Sequence, residues 1–259
     1  MTNIQFMPGA ISAGECISNA WETLKSNYGM YLGIAIIAMI MTGCIPCVNV
    51  FIMGPVMGGV YFVVLRDMRG EPIDFGMMFK GFEKFVPLMV IGLFQSIPGV
   101  IAQMVQYGVR FSQLASGGNG DFTFFQISNR DFALSSGLMI LFAVIFIGFM
   151  IFSFVWWAVF FFAIPLVMEH DMGAIDAIKL SARASLSNIG GLLSYFILMI
   201  LVIFVGMLLL CIGMFLISMP VIYIGSAFAY RQVFPYIERT FNMTPPPPNA
   251  YGSRFGQGM

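Results

Sequence analysis

The sequence predicts an all-α membrane protein: a polytopic bundle of six transmembrane helices, with three interfacial amphipathic helices on its cytoplasmic side. Three observations carry this expectation. Hydrophobic residues make up 59% of the 259 positions and charged residues only 9%, with a mean hydropathy of +0.90. A soluble domain of this size carries charge on about a quarter of its residues. The few charges fall in clusters, separated by apolar stretches long enough to cross a bilayer. Threading the chain through those stretches puts most of its Lys and Arg on one side. The same apolar content excludes disorder, and 12 basic against 12 acidic residues exclude an electrostatic nucleic-acid binder.

The spans follow in order from the charge gaps. No charged residue lies between Lys25 and Arg66, and further gaps run over 85–109, 132–168 and 184–230. A crossing needs about 20 apolar residues. The first and last gaps therefore each hold two spans, the second holds one, and the third holds one long or two short spans. Thr42-Gly43-Cys44-Ile45-Pro46-Cys47-Val48-Asn49 breaks the first gap, and Cys211-Ile212-Gly213 breaks the last. One span in the third gap puts ten basic residues, Lys25 to Arg254, on one side and only Arg110 and Arg130 on the other. Two spans there give five against seven, so the positive-inside rule selects six spans with both termini cytoplasmic. The expected spans are 28–45, 48–66, 85–110, 135–167, 189–210 and 213–231. The fourth exceeds the hydrocarbon thickness and has to tilt or project beyond it.

Amphipathic stretches precede three of the spans. Ile11 to Asn27 carries Ile11, Ile17, Trp21, Leu24 and Tyr28 on or near one face, Pro72 to Lys84 carries Ile73, Phe75, Phe79 and Phe82 and is followed by Phe85, and Gly173 to Asn188 carries Ile175, Ile178 and Leu186. Such segments lie in the headgroup plane. The first and third read as copies: Ser26-Asn27-Tyr28-Gly29 resembles Ser187-Asn188-Ile189-Gly190, and Pro55 and Arg66 match Pro220 and Arg231. This is the pattern of a parallel internal repeat. Residues 111–131 form the one sizeable outer loop, and 242–259, with Pro245 to Pro248, a disordered cytoplasmic tail.

Few residues offer chemistry. Cys44 and Cys47, at the expected outer turn, could close a local disulfide on an oxidising face. A redox enzyme needs a second exchanging pair, which Cys16 and Cys211 do not supply. The single histidine, His170, sits in Met168-Glu169-His170-Asp171 and reads as a polar cluster ending a helix, because consecutive residues do not share a helix face. One histidine also excludes a multi-histidine iron centre, and the sequence supplies no metal or cofactor motif. The span interiors hold no Asp, Glu, Lys or Arg, which disfavours proton-coupled transport. The third span does hold Gln95, Ser96, Pro98, Gly99, Gln103 and Gln106. Pro98 frees the carbonyl around Phe94, and the glutamines fall close to one face. The expectation is an interhelical hydrogen-bonded seam at a kink, with a polar cavity wall as the alternative. Gly29/Gly33 and Gly54/Gly58 are GxxxG spacings that let helices approach closely.

Several stretches occur together in order: Gly54-Pro55 with Gly58-Gly59, Asp74-Phe75, Phe79-Lys80-Gly81-Phe82, Ala163-Ile164-Pro165, Asp171, Ala177-Ile178-Lys179-Leu180-Ser181, Gly213, Pro220 and Ala227-Phe228-Ala229-Tyr230-Arg231. In these, residues 11–240 resemble a group of bacterial six-span membrane families related to the membrane domain that precedes some glycerophosphodiester phosphodiesterases. The resemblance implies a six-span inner-membrane protein. It implies no phosphodiesterase activity, since no such domain lies within these residues. The functional expectation is a non-enzymatic integral membrane protein that organises lipid or a membrane partner complex. Its partners are membrane lipids and a second copy or another membrane protein. The alternative is a small carrier or channel for a neutral or apolar substrate.

Overall fold

The structure, a computed structural model, describes residues 6–43, 46–115, 132–208 and 213–235. The outer loop from 116 to 131, the tail from 242, Cys44 and Cys211 lie outside the described residues. The described chain is helical, without strands. It runs as α1 (Ala13–Ser26), α2 (Tyr28–Gly43), α3 (Pro46–Asp67), a 3₁₀ helix (Phe75–Lys84), α4 (Phe85–Ala115), α5 (Phe132–Phe160), α6 (Ala163–His170), α7 (Ala174–Ser187), α8 (Ile189–Leu208), a π-helical turn (Met214–Ser218) and α9 (Met219–Val233). Among the described residues, five helical runs are long and apolar enough to cross a membrane. A sixth is added if α1 and α2, bent by 104°, count as one.

Two elements depart from the expected bounds: α4 runs on to Ala115, into the expected outer loop 111–131, and the fourth stretch is divided. The long fourth stretch does not continue as one helix but breaks at Phe161 and Phe162 into α5 and α6. Pro165 has no N–H to donate to the Phe161 carbonyl, so the helix ladder is already interrupted there. Ser181 of α7 mends the break. Its hydroxyl donates to the Val159 carbonyl (2.6 Å) and accepts from the Phe162 N–H (3.1 Å). Ser181 is wholly buried, so this repair happens away from water.

The amphipathic elements divide their residues between two faces. Their bundle-facing sides carry mostly small residues, with Leu24 and Met78 among them. α1 buries Ala13, Cys16, Ala20 and Leu24, α7 buries Ala177, Ser181, Ala184 and Ser185, and the 3₁₀ helix buries Met78 and Gly81. Trp21, Tyr28, Phe75, Phe79, Ile175 and Leu186 stay exposed. Small side chains let two backbones approach closely, and in a medium without water that dispersion contact is what joins helices. The bulky residues would hold the backbones apart.

α1 and α7 are both 14 residues long, and both boundaries differ by 161. The residues that join them to the next helix, Asn27 (φ −128°, ψ 40°) and Asn188 (φ −118°, ψ 20°), adopt similar backbone conformations. α2 and α8 begin at the same offset, at Tyr28 and Ile189. The contacts then extend the pattern from two units to three. The 3₁₀ helix packs on α3, α7 packs on α5 and α6, and α1 packs on α9. Each amphipathic element thus lies on the last long helix of the unit before it, and the order closes into a ring.

The N-terminal segment seals that closure. Met7 N–H donates to the Val233 carbonyl (2.9 Å), and Ala10 N–H donates to Asn188 Oδ1 (2.9 Å). Asn188 Nδ2 returns a bond to the Met7 carbonyl (3.1 Å). Ser12 N–H (2.8 Å) and the Cys16 thiol (3.3 Å) both donate to Gln232 Oε1. Burial, and then the neighbouring Glu15, push the Cys16 thiol up to about 12, so it stays a neutral donor.

Glycine decides the tightest packing. A Cβ on Gly59 would land on the Met78 carbonyl, one on Gly81 on the Pro55 carbonyl, and one on Gly54 on the Leu88 carbonyl. Here α3 meets the 3₁₀ helix and α4 backbone to backbone. Gly59→Ala is therefore expected to lower the unfolding free energy by about 1–3 kcal/mol, the usual cost of overpacking. A methyl group on Gly14 would meet no atom within 4 Å, so Gly14→Ala is expected to gain about 0.5–1 kcal/mol from helix propensity. Denaturant titration of the detergent-solubilised protein by tryptophan fluorescence checks the opposite signs.

Candidate functional site

The last long helices of the three units end at one place. α3 runs out at Asp67 and the chain turns through Arg69, α6 ends with Glu169 and His170, and α9 carries Tyr230 and Arg231 in its last turn. Glu169 sits where they meet, its side chain only 7% exposed. Oε1 accepts from Arg69 Nη2 (2.8 Å) and forms an ion pair with Arg231 Nη2 (2.7 Å), and Oε2 accepts from the Tyr230 hydroxyl (2.6 Å). An ionised carboxylate removed from water is tolerable only when its lone pairs are filled and its charge is met. Two guanidinium groups and a phenol do both. His170 Nε2 stands 4.0 Å from Glu169 Oε2, at the edge of the group.

Beside this centre, Lys84 at the end of the 3₁₀ helix donates to the Val167 and Met168 carbonyls (3.0 Å each) and pairs with Asp171. The last carbonyls of a helix lack intrahelical partners, so a lysine there satisfies them and meets the helix dipole. Asp171 adopts a left-handed conformation (φ 52°) and ends α6. Glu169, His170 and Asp171 therefore point to different partners, as a helix-ending cluster does. Among the described residues, no group of three or more His, Cys, Asp or Glu is placed to hold a metal ion.

The glutamines read from the sequence divide between two settings. Gln95 and Ser96 are half-buried where α4 meets the bundle, and the Ser96 hydroxyl donates to the Leu93 carbonyl (2.8 Å). Gln103 and Gln106 are exposed on α4 beyond Pro98. The freed carbonyl has a partner: Trp156 Nε1–H of α5 donates to the Phe94 carbonyl at 2.9 Å, and Phe94 stacks on Phe160 with centroids 6.4 Å apart. That point is a seam between α4 and α5. Cys47 lies in α3, and its side chain is outside the described residues, as is Cys44, so the pair is not brought into view.

A small apolar cleft opens between α2 and the start of α9, lined by Ile36, Met39, Phe215 and Met219 among others. The Thr42 hydroxyl at its rim donates to the Ala38 carbonyl (2.8 Å).

Sequence reasoning misses the Glu169 centre. There Arg66, Arg69 and Arg231 serve only as topology markers and Glu169 only as a helix end. The available signal is one acid closing an apolar stretch while two other apolar stretches close on Arg. Comparison with protein-family models, with curated proteins and with solved structures gives no match.

Removing one member of a buried ion cluster leaves the others uncompensated. Glu169→Ala is expected to cost about 3–5 kcal/mol of unfolding free energy. Lys80→Ala, which breaks the exposed Lys80–Glu83 pair (2.6 Å), is expected to change it by less than about 1 kcal/mol. Chemical denaturation in detergent measures both, and equal small effects would remove Glu169 from its central role.

Proposed function

We propose that the chain is a non-enzymatic, multi-pass protein of the bacterial inner membrane, with six spans and both termini cytoplasmic, that organises lipid or a membrane partner. One observation carries this reading. All three amphipathic elements leave bulky apolar side chains uncovered beside charged ones. Phe79 is 52% exposed, Ile175 65% and Leu186 56%, while Lys80, Lys179 and Arg183 lie on the same elements. In water such side chains would be an aggregation surface. In a headgroup layer the apolar groups enter the acyl boundary and the basic ones reach phosphate. Exposed Trp21 and Tyr28 match the aromatic preference for that depth.

The chemistry around the core supports the same reading. The ionisable side chains at the Glu169 centre bind one another, and the carbonyl freed by Pro98 is taken by Trp156. A carrier for a polar solute would keep such groups free for its cargo. The resemblance to the six-span families agrees with this reading. The residues that carry it have packing duties: Gly59, Gly81, Ser181, Asp171 and Tyr230 each hold a helix junction.

Native mass spectrometry of the protein extracted with its own lipids tests the role. Reproducible retention of one lipid class or of a second protein is expected. Replacing Phe79, Ile175 and Leu186 by Ser is expected to reduce that retention severalfold. A bare protein that releases everything at mild activation would sink the organising role and favour a carrier. The orientation has its own check. A reporter after residue 259 is expected to be active only in the cytoplasm, and one inserted between residues 117 and 120 only outside.

A further inference from the structure

Beyond Pro98, α4 leaves the bundle. From Ile101 to Gly108 every residue is exposed, whichever way it faces. Met104 is 69% exposed, Val105 62% and Tyr107 66%. α5 does not cover it, because Val144, Ile145 and Ile147 are exposed as well. Lipid tails suit Met104 and Val105. They do not suit Gln103 and Gln106, whose amides lie within the stretch from Phe75 to Gly108 that is apolar enough to cross a membrane. Each amide there offers two donors and an acceptor that hydrocarbon cannot match.

These polar positions are not scattered. Gly99, Gln103, Gln106 and Arg110 follow at intervals of four, three and four residues. That spacing follows the α-helical repeat of about 3.6 residues and keeps all four on one face of α4, a seam along which a second helix can lie. Gly99 has no atom within 4 Å of where its Cβ would lie, so the backbone of another helix can come close at that level. Arg110 ends the seam, where its long side chain reaches the aqueous layer.

We infer that α4 beyond Pro98 is a self-association surface, and that its occupant is the same segment of a second copy of this chain. The hydrogen-bonding pattern selects this occupant. In a parallel two-fold pair each residue of the seam meets its own counterpart. A glutamine amide is self-complementary, donating through nitrogen and accepting through oxygen, so Gln103 and Gln106 each satisfy their counterparts. An acyl chain supplies neither group. A second copy necessarily carries the matching 4-3-4 spacing. The inference rests on the membrane reading, since only a medium without water makes these amides costly.

Photo-crosslinking of the full chain in native membranes tests it. Benzoylphenylalanine is placed at Gln103 or Gln106 on the seam, and at Ile101 or Val105 on the opposite face. Adducts of twice the chain mass are expected at 103 and 106, at least severalfold above those at 101 and 105. Equal yields at all four positions, no adducts, or adducts only to lipid or to a different protein would overturn the inference. The double variant Gln103→Leu, Gln106→Leu provides a second readout. These side chains lie on an exposed stretch of their own chain, so its unfolding midpoint is expected to hold while the dimer dissociation constant rises about tenfold. An unchanged dimer fraction would also overturn the inference. Alkaline carbonate extraction separates the two levels: protein released from the membrane removes the membrane reading itself, whereas protein that stays without adducts removes only self-association.

Discussion

The buried carboxylate of Glu169 is the constraint on which the arrangement turns. Its oxygens are filled by Arg69, Tyr230 and Arg231, from the ends of two other helical units. A charge held at 7% exposure without partners would cost several kcal/mol. The three helix ends must therefore arrive together, and no one of them can slide along its axis without breaking the set. Around this fixed point the ring of units closes: Lys84 holds the end of α6, and the segment from Met7 to Ser12 holds the ends of α7 and α9. These charge-assisted bonds are more directional than the apolar contacts around them, and they add to the register that the close glycine contacts set.

The second constraint is the backbone. Where water is absent, each interrupted helix bond needs a substitute partner. Pro98 frees the Phe94 carbonyl and Trp156 takes it, while the break before Pro165 is bridged by Ser181. At Gly54, Gly59 and Gly81 the backbone is itself the contact surface, and no side chain fits. Polar side chains in the bundle thus serve mainly the chain's own carbonyls and N–H groups. Ser218 follows the same rule, donating to the Val202 carbonyl at 2.8 Å across the α8–α9 hairpin.

The sequence and the structure agree where information is local. Charge gaps locate the helices within a few residues, because a long apolar run has few alternatives to a helix. Pro98 announces a freed carbonyl, since that follows from covalent structure alone. The Asn27 and Asn188 junctions are visible as a short repeated motif. Pro165 announces the lost bond at Phe161 in the same way, but hydropathy does not show that the chain breaks into two helices there, because both flanks are equally apolar. The sequence does not mark the bundle-facing sides of α1 and α7. Hydrophobic periodicity weights Trp21 and Ile175 most heavily, whereas close packing selects Ala20 and Ala177. The Glu169 centre needs pairing across separations of 100 and 62 positions, which no local pattern encodes.

These features bear jointly on where function resides. At the Glu169 end the acids and bases are matched to each other, and along the bundle the polar groups are matched to backbone. Binding anything there would first require breaking what holds the helices in register. The surface is different. It carries uncovered bulky apolar side chains beside basic ones on the amphipathic elements, and a straight polar seam on α4 that its own chain does not cover. Most of the unmet interactions among the described residues therefore point outward, the buried Ser153 and Ser185 hydroxyls being exceptions. On the proposed reading lipid answers those on the amphipathic elements, and on the inferred one a second copy of the chain answers those on α4. A core matched so closely to itself can keep these surfaces at fixed positions relative to one another, which an organising role in a fluid bilayer demands.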